Sequence, residues 1–256
     1  MTPKKPPRLK RYIQSLQGSK AWGSVLDAGT GPQSIRWIEG LPTASWTAVS
    51  AAPGHVDQLH EALTAAPRAQ DRIIIGNWIN NNLLKDEIFD TVIADYLLGA
   101  VEGFSPYFQS HLLRRLRQLT GKTLYLTGLE PYVPTNRPDN KDGQLLWEIG
   151  RFRDACVLLG GDFPYREYPA HWVVDQLKIA NFSIREVKHF KTRFKSQFVN
   201  AQINLCKPSL DALEDQDLAE ALKSRGEALR SEALAHVKTE GAISYGSNYV
   251  IAAEPG

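Results

Sequence analysis

The chain is poor in sulfur and has no long hydrophobic run. Only two of its 256 residues are cysteine, Cys156 and Cys206, and they are far apart in the sequence. Two separated cysteines form neither a disulfide framework nor a paired metal-ligand motif, which favours a reducing compartment. No apolar run approaches the length of a membrane span, and no apolar segment follows the basic residues at the start. We therefore expect a cytoplasmic protein that does not contact a membrane.

The chain also has little net charge, +2 at pH 7, and its first 20 residues contain no acid. The basic residues of this N-terminal segment are Lys4, Lys5, Arg8, Lys10, Arg11 and Lys20. Such a basic stretch can contact nucleic-acid phosphates. Because the whole chain is nearly neutral and carries no appended RNA-binding module, we do not expect a nucleic-acid partner. We predict instead a short helix over 10–16 that folds over a ligand, with its charges in solvent.

Apolar runs of strand length alternate with amphipathic runs of helix length, the pattern of a parallel sheet with crossover helices. The predicted strands are 24–28, 46–50, 72–75, 89–95 and 122–126, and the helices between them are 32–39, 56–65 and 106–119. Strand 89–95 is almost continuously apolar, which indicates that both faces of the sheet are covered. The sequence thus predicts an α/β fold with helices on both faces.

The second half predicts helices at 145–159 and 173–180, then strands at 182–187 and 249–253. A helical arm, about 196–240 and interrupted at Pro208, lies between those two strands. Its leucines recur at helical spacing, so one face of the arm is apolar. Two interpretations stay open for this face: it packs on its own domain, or it forms a homodimer contact.

The most informative segment is the turn Asp27-Ala28-Gly29-Thr30-Gly31 at the end of the first strand. We expect its glycines to adopt positive φ and to let the backbone pass close to a ligand. A nicotinamide-binding turn would need a third glycine, where Ser34 stands, and an acid at the end of the second strand, which ends at Ser50. The charge of Asp27 would repel a pyrophosphate and suits a ligand with an ammonium group.

With this turn, the strand Asp90–Asp95 and the strand 123–127, the chain resembles the class I S-adenosylmethionine-dependent methyltransferases over roughly residues 20–256. The resemblance implies a Rossmann-like α/β fold. Its seven-stranded sheet would be mostly parallel, with 183–187 and 249–253 as an antiparallel pair and a helical insertion before the last strand. It also implies one methyltransferase domain, 21–256, preceded by the basic segment 1–20 as a lid.

The resemblance implies S-adenosylmethionine as cofactor and assigns its binding residues. Those residues are Asp27, Gly29, Thr30 and Gly31 for the methionine part, Ser50 for the ribose edge, Asn77 and Trp78 for adenine, and Asp95 beside the transferred methyl. Two positions depart from the family. Its ribose-binding acid at the end of the second strand is absent, and its adenine-binding acid is replaced by Asn77, whose amide oxygen accepts the same amino proton.

The resemblance also places the acceptor-handling residues. Asp95 and Tyr96 would face the transferred methyl, and Glu130 would line the acceptor pocket. His171 is either a general base or a structural histidine. A divalent metal held by Asp95, Glu130 and Asp139 does not match the spacing of metal-dependent O-methyltransferases, so we expect no metal.

The implied activity is in-line transfer of a methyl group from the sulfonium to a small-molecule acceptor. Two alternatives stay open. One is an RNA methyltransferase that uses the basic N-terminus. The other is a regulatory protein that binds S-adenosylmethionine without catalysis, which the missing acid after the second strand favours.

Overall fold

The structure is a computed structural model that describes residues 6–52, 54 and 56–256, so the predictions for Lys4 and Lys5 lie outside the described residues. The strands are β1 (Ser24–Asp27), β2 (Ser45–Ser50), β3 (Arg72–Ile75), β4 (Phe89–Asp95), β5 (Thr120–Leu129), β6 (Phe182–Lys191) and β7 (Ser247–Pro255). The helices are α1 (Arg8–Gln17), α2 (Pro32–Glu39), α3 (Val56–Ala62), α4 (Leu97–Ala100), α5 (Gln109–Leu119), α6 (Lys141–Leu159), α7 (Ala170–Ile179), α8 (Ser196–Asn204), α9 (Lys207–Asp211) and α10 (Gln216–Glu240).

The seven strands form one sheet in the order β3-β2-β1-β4-β5-β7-β6. The pairs β1–β2, β2–β3, β1–β4 and β4–β5 are parallel, so the sheet is mostly parallel as predicted. The chain builds outward from β1 through β2 and β3, then returns to place β4 on the other side of β1. The strand order therefore reverses between the neighbouring strands β1 and β4, and ligands of open α/β sheets bind at the carboxyl ends of the strands at such a point. The expected Rossmann-like α/β class is confirmed.

Local signals explain most of the element boundaries. Pro32 begins α2, where its missing N–H costs nothing. Asn140 caps α6 by accepting the N–H of Gly143 at 2.7 Å, and Asp215 caps α10 by accepting the N–H of Leu218 at 2.9 Å. Asn181, which follows α7, has φ 64, the left-handed conformation expected of an asparagine after a helix. The short helix α4 is too brief to show an apolar period, and we did not predict it.

The chain divides into two compact units. Unit 1 comprises residues 1–128, 168–189 and 249–256, and unit 2 comprises residues 129–167 and 190–248. Unit 1 has a core of sheet residues and residues of α5 and α7. Among the described residues, no helix combines the length and apolar character that crossing a bilayer requires.

Unit 2 has its own apolar core, built from α6, α8, α9, α10 and the segments beside them. The predicted arm belongs to this unit, and the break at Pro208 falls in the short helix α9. Leu229 of α10 is fully buried there, and Leu222 and Leu234 pack against the same core. Much of the apolar face of the arm is therefore used inside the unit.

The two cysteines, which are 50 positions apart in sequence, meet in the core of unit 2. Cys156 and Cys206 are both buried and reduced. Burial raises the pKa of both thiols, that of Cys206 to about 12. Since the thiolate is the reactive form of cysteine, we assign this pair to packing.

The N-terminal helix forms where expected, but one of its charges is not in solvent. Lys10 is only 5% exposed, which corrects the expectation that the charges of this helix are solvated. Ile13, one turn further on, is fully buried. One side of α1 therefore packs into unit 1, and Lys10 lies on that side.

Candidate functional site

The candidate site lies in unit 1, where the adjacent parallel strands β1 and β4 end at Asp27 and Asp95. The turn after β1 is tied to strands on both sides. The Ala28 N–H donates to the carbonyl of Ile93 at 2.8 Å, and the Thr30 N–H donates to the carbonyl of Val49 at 2.7 Å. These bonds hold the turn rigidly at the reversal point of the sheet.

Asp27 is a fully buried carboxylate whose two oxygens have no hydrogen-bond partner among the described residues. The hydroxyls of Thr30 and Ser34 are likewise buried and unbonded within the described chain. Burial raises the pKa of Asp27 to about 6; the nearby hydroxyls and the charge of Lys10 oppose this rise, and Asp95 adds to it. A buried carboxylate without donors is costly, and a ligand that brings a cation or N–H groups would remove that cost.

Positive φ, which we predicted, does not explain why the turn contains two glycines. Neither Gly29 nor Gly31 is among the positive-φ residues, and Gly31 is extended at φ −142 and ψ 176. A Cβ added at Gly29 would lie 2.8 Å from Cδ1 of Leu97, so α4 packs against the turn there. A Cβ added at Gly31 would meet no described atom within 4 Å. The backbone at Gly31 therefore borders open space that a ligand can approach.

Lys10 brings a buried positive charge from α1 into the same region. Its Nζ donates to the carbonyl of Gln33 at 3.2 Å and lies 3.4 Å from a carboxylate oxygen of Asp95. The ammonium is also 5.1 Å from the ring centroid of Trp37, a cation–π distance. These contacts fix Lys10 near both acids of the site, where it partly offsets their mutual repulsion.

The end of β4 is held by Thr127 of β5. The Thr127 hydroxyl donates to Oδ1 of Asp95 at 2.5 Å, and the Tyr96 N–H donates to the carbonyl and hydroxyl oxygens of Thr127 at 3.2 and 3.1 Å. Both oxygens of Asp95 thus have a partner, since the other oxygen faces Lys10. The Asp95 carboxylate is therefore held in one orientation.

Tyr96, the residue after β4, is left-handed at φ 53 and 41% exposed. A bulky residue in this conformation is strained, and such strain concentrates at functional sites. The contacts of its N–H with Thr127 and the start of α4 at Leu97 hold the conformation. Tyr96 therefore turns the chain sharply beside Asp95.

The residues assigned to ribose and adenine follow β2 and β3. Ser50 is buried, and its hydroxyl accepts the N–H of Ala52 at 3.3 Å. Asn77 is tied into its own loop: its amide oxygen accepts from the N–H of Ile79 and from the Ser105 hydroxyl, and its NH₂ donates to the carbonyl of Phe104. The Asn77 oxygen already accepts two hydrogen bonds. To an adenine ring, the Asn77 amide can therefore offer its second N–H.

Trp78 is a core residue and not an open platform for a purine. It is 3% exposed, and its indole N–H donates to the carbonyl of Ala28 at 2.7 Å. The guanidinium of Arg115 lies over its ring, 5.8 Å from the centroid. This burial argues against stacking of adenine on Trp78 and assigns the side chain to supporting the turn after β1.

The remaining predicted residues are not drawn into this cluster. His171 is exposed in the first turn of α7, in unit 1. Glu130 belongs to unit 2, where its N–H donates to the carbonyl of Ser247 at 2.9 Å. The positions of His171 and Glu130 neither support nor oppose the roles expected of these two residues.

Three residues of the cluster were missed by sequence reasoning. Lys10 was assigned to solvent, Thr127 was treated only as part of a strand, and Ser34 was read only as the absence of a glycine. For Ser34 and Thr127 a signal existed, because each is a polar residue at the carboxyl-end side of the sheet. No local pattern distinguishes Lys10 from the other cations of its helix.

Comparison with known proteins places the fold among methyltransferases. Neither models of known protein families nor the sequences of curated proteins match the chain. Solved structures do match. The structure is similar to BH2331 of Bacillus halodurans C-125, assigned as a methyltransferase, with 12% identity and a TM-score of 0.62 over 97% of this chain and 99% of that one.

Two further structures share the fold. The mycolic acid cyclopropane synthase CmaA1, complexed with SAH (S-adenosylhomocysteine), matches at 15% identity and a TM-score of 0.56, over 94% of this chain and 83% of that one. The cyclase SpnF matches at 13% identity and a TM-score of 0.56, over 97% and 80%. At these identities the likeness shows the fold alone: the chain has the Rossmann-like fold of the class I S-adenosylmethionine-dependent methyltransferases.

Proposed function

We propose that this protein is an S-adenosylmethionine-dependent methyltransferase that methylates a small-molecule acceptor by in-line transfer. The observation that carries the proposal is Asp27, a fully buried carboxylate without a described hydrogen-bond partner, at the turn after β1 in a methyltransferase fold. The ammonium of the cofactor's methionine part would supply both the charge and the donors that Asp27 lacks. The unbonded hydroxyls of Thr30 and Ser34 lie in the same turn and helix start.

The rest of the cofactor would lie along the edge that the other strands provide. Gly31 would admit the methionine part, Ser50 at the carboxyl end of β2 would border the ribose, and the second N–H of the Asn77 amide would donate to adenine. When bound, S-adenosylmethionine supplies an electrophilic methyl group on a sulfonium centre.

The chain's own contribution to transfer is to align and to exclude water. Asp95, held by Thr127 and Lys10, orients the groups beside it, and Tyr96 covers them at the exposed end of β4. Glu130 and His171 stay as proposed acceptor-handling residues, to be tested by substitution.

A calorimetric titration tests the first step. We expect S-adenosylhomocysteine and S-adenosylmethionine to bind the protein, and Asp27→Asn to weaken binding about 100-fold, since an ion pair and its hydrogen bonds are lost in a buried site. Release of S-adenosylhomocysteine over a panel of small hydroxyl, amine and thiol compounds then tests transfer. Absence of binding by both nucleosides would refute the proposal.

A second candidate is binding of the cofactor without methyl transfer. It is favoured by the missing acid at the end of β2 and by the fact that both oxygens of Asp95 are already engaged. This candidate predicts tight binding of the cofactor with no turnover over the whole panel. An acceptor that releases S-adenosylhomocysteine in proportion to its own consumption would exclude it.

A further inference from the structure

Unit 2 contains a pocket of its own, with a volume of about 320 Å³. Three parts of the unit line it: residues 131–133 after β5, residues 164–167 before α7, and the pair Arg153 and Asp154 on α6. A volume of this size falls at the lower end of small-molecule sites.

Five of the nine residues that line the pocket carry aliphatic or aromatic side chains, and the other four are charged. Pro131, Val133 and Pro164 provide aliphatic surface, and Tyr132 and Tyr165 provide rings. Tyr165 is 52% exposed, while Tyr132 is buried. Flat aromatic and proline surfaces favour a ring-shaped ligand, because they offer area without losing side-chain freedom.

The buried cation in the wall is already neutralised. The Arg153 guanidinium donates through Nε and Nη2 to one oxygen of Asp154, at 2.8 and 2.6 Å. Its Nη1 donates to the Tyr132 hydroxyl at 2.5 Å and to the amide oxygen of Gln202 at 2.7 Å. Arg153 is therefore a fixed part of the wall, and its charge is balanced before any ligand arrives.

Glu167 is the polar group of the pocket that is still open to a ligand. Among the described residues its carboxyl has no hydrogen bond or ion pair. Burial raises the pKa of Glu167 to about 7; the charge of Arg153 opposes this rise and that of Asp154 adds to it. A half-buried carboxyl without a donor gains most from a ligand that brings one.

The charged residues around the pocket give no net charge that would attract an ion. Arg153 is paired with Asp154, and Arg166 and Glu167 add one charge of each sign. This balance favours a neutral molecule. A hydroxyl group on such a molecule can still donate to the carboxyl.

We propose that the pocket of unit 2 binds a neutral, hydroxylated ring compound that lies between the tyrosine and proline surfaces and donates its O–H to Glu167. The proposal goes beyond the proposed function, since it assigns a separate ligand site to unit 2. Binding itself does not depend on the cofactor, and it is tested without it.

The test uses three probes that share one ring and differ in the head group: naphthol, naphthoate and protonated naphthylmethylamine. Each is titrated into the full-length, cofactor-free protein. We expect naphthol to bind most tightly. At a pH above 7, Glu167→Gln should weaken naphthol binding about tenfold, because a neutral amide oxygen accepts a weaker hydrogen bond than an ionised carboxylate. The exposed Glu214 of the same unit provides the matched control, and Glu214→Gln should leave naphthol binding unchanged.

The pH dependence gives a second readout that needs no variant. The titratable and charged groups that line the pocket with Glu167 are Arg153, Asp154, Arg166, Tyr132 and Tyr165. Burial raises the pKa of Tyr132 to about 12 and raises that of Tyr165 above its ordinary value. Because an ionised carboxylate is the stronger acceptor, naphthol affinity should rise as the pH rises through about 7.

Several results would overturn the proposal: preference for naphthoate or the amine, no naphthol binding, affinity that falls with rising pH, or an unchanged affinity in a folded Glu167→Gln protein. Calorimetry with S-adenosylhomocysteine on the same samples separates the two proposals. If the nucleoside binds and naphthol does not, only the pocket assignment fails. If naphthol binds and the nucleoside does not, the methyltransferase assignment fails.

Discussion

At the scale of single residues, the site is governed by one buried charge. The sequence identified Asp27 from its place before the glycine turn, and the structure adds that its oxygens have no described donor. The positive φ expected of the two glycines was wrong, since neither has it, whereas the backbone at Gly31 does border open space. Local sequence reveals which residue types stand in a turn, but it does not reveal whether space or backbone conformation requires them.

The raised pKa of Asp27 predicts a pH dependence of cofactor binding. Its pKa is about 6 in the free protein, and an ammonium ligand binds the ionised form. The affinity for S-adenosylhomocysteine should therefore be constant above pH 7 and fall up to tenfold per pH unit below about 6, with release of close to one proton on binding near pH 5. Calorimetry in buffers of different ionisation enthalpy measures both quantities, and Asp27→Asn should abolish the proton release.

The ionised form of Asp27, which favours ligand binding, lowers the stability of the ligand-free protein. Its folded pKa lies above the ordinary value of 3.8, so the folded state binds more protons than the unfolded state between pH 3.8 and about 6. As the pH rises through this window, Asp27 should cost the fold on the order of 3 kcal/mol, a cost that Asp27→Asn avoids. Urea unfolding of both proteins at pH 4 and pH 7.5 measures the difference between them. A variant that loses more stability than the wild type on going to pH 7.5 would contradict this sign.

Gly31 and Gly29 should respond differently to the same substitution. Gly31→Ala places a methyl in open space, so the unfolding free energy should change by less than about 1 kcal/mol while cofactor affinity drops. Gly29→Ala forces Leu97 to move and should destabilise by about 1–3 kcal/mol. Thermal unfolding and calorimetry on both proteins separate the effects. The distinction would be refuted if both variants lost the same cofactor affinity and neither lost stability.

At the scale of elements, most helices and strands of unit 1 could be predicted because each carries its own signal. β4 is a continuous apolar run, α2 begins with proline, and Asn181 ends α7. The burial of Lys10 could not be predicted, since α1 is basic on several positions and the partners of Lys10 come from α2 and β4. Tertiary contacts determine which of the cations of α1 is buried.

Lys10 of α1 should change the pKa of Asp27, the acid proposed to bind the cofactor. Its charge lowers the pKa of Asp27, so Lys10→Met, which keeps the apolar stem, should raise that pKa above 6. The pH at which cofactor affinity begins to fall should move upward. Lys20→Met is the matched control, because the Lys20 side chain is 70% exposed. An unchanged midpoint in Lys10→Met would show that α1 does not act on the site electrostatically.

At the scale of the whole molecule, the division into two units was not foreseen. The sequence showed a helical arm with an apolar face, but not that its long helix α10 packs against α6, which lies outside the arm, as well as against α8 within it. Tertiary packing likewise brings Cys156 next to Cys206 and places Glu167 in its pocket. Periodicity identifies an amphipathic helix without naming what covers it, so the arm's packing and the pocket of unit 2 required the structure.

Separate cores predict that stability and cofactor binding can be uncoupled. Leu229 of α10 is fully buried in the core of unit 2, so Leu229→Ala should lower the free energy of unfolding by about 2–5 kcal/mol. The residues proposed for cofactor binding belong to unit 1, so S-adenosylhomocysteine affinity below the unfolding temperature should stay within about twofold of the wild type. Leu218→Ala on the same helix, at a residue 40% exposed, is the control and should have little effect on stability. Urea unfolding and calorimetry measure the two quantities on each protein. A tenfold loss of affinity in folded Leu229→Ala protein would mean that the packing of unit 2 contributes to the cofactor site, because the substituted side chain lies in the other core.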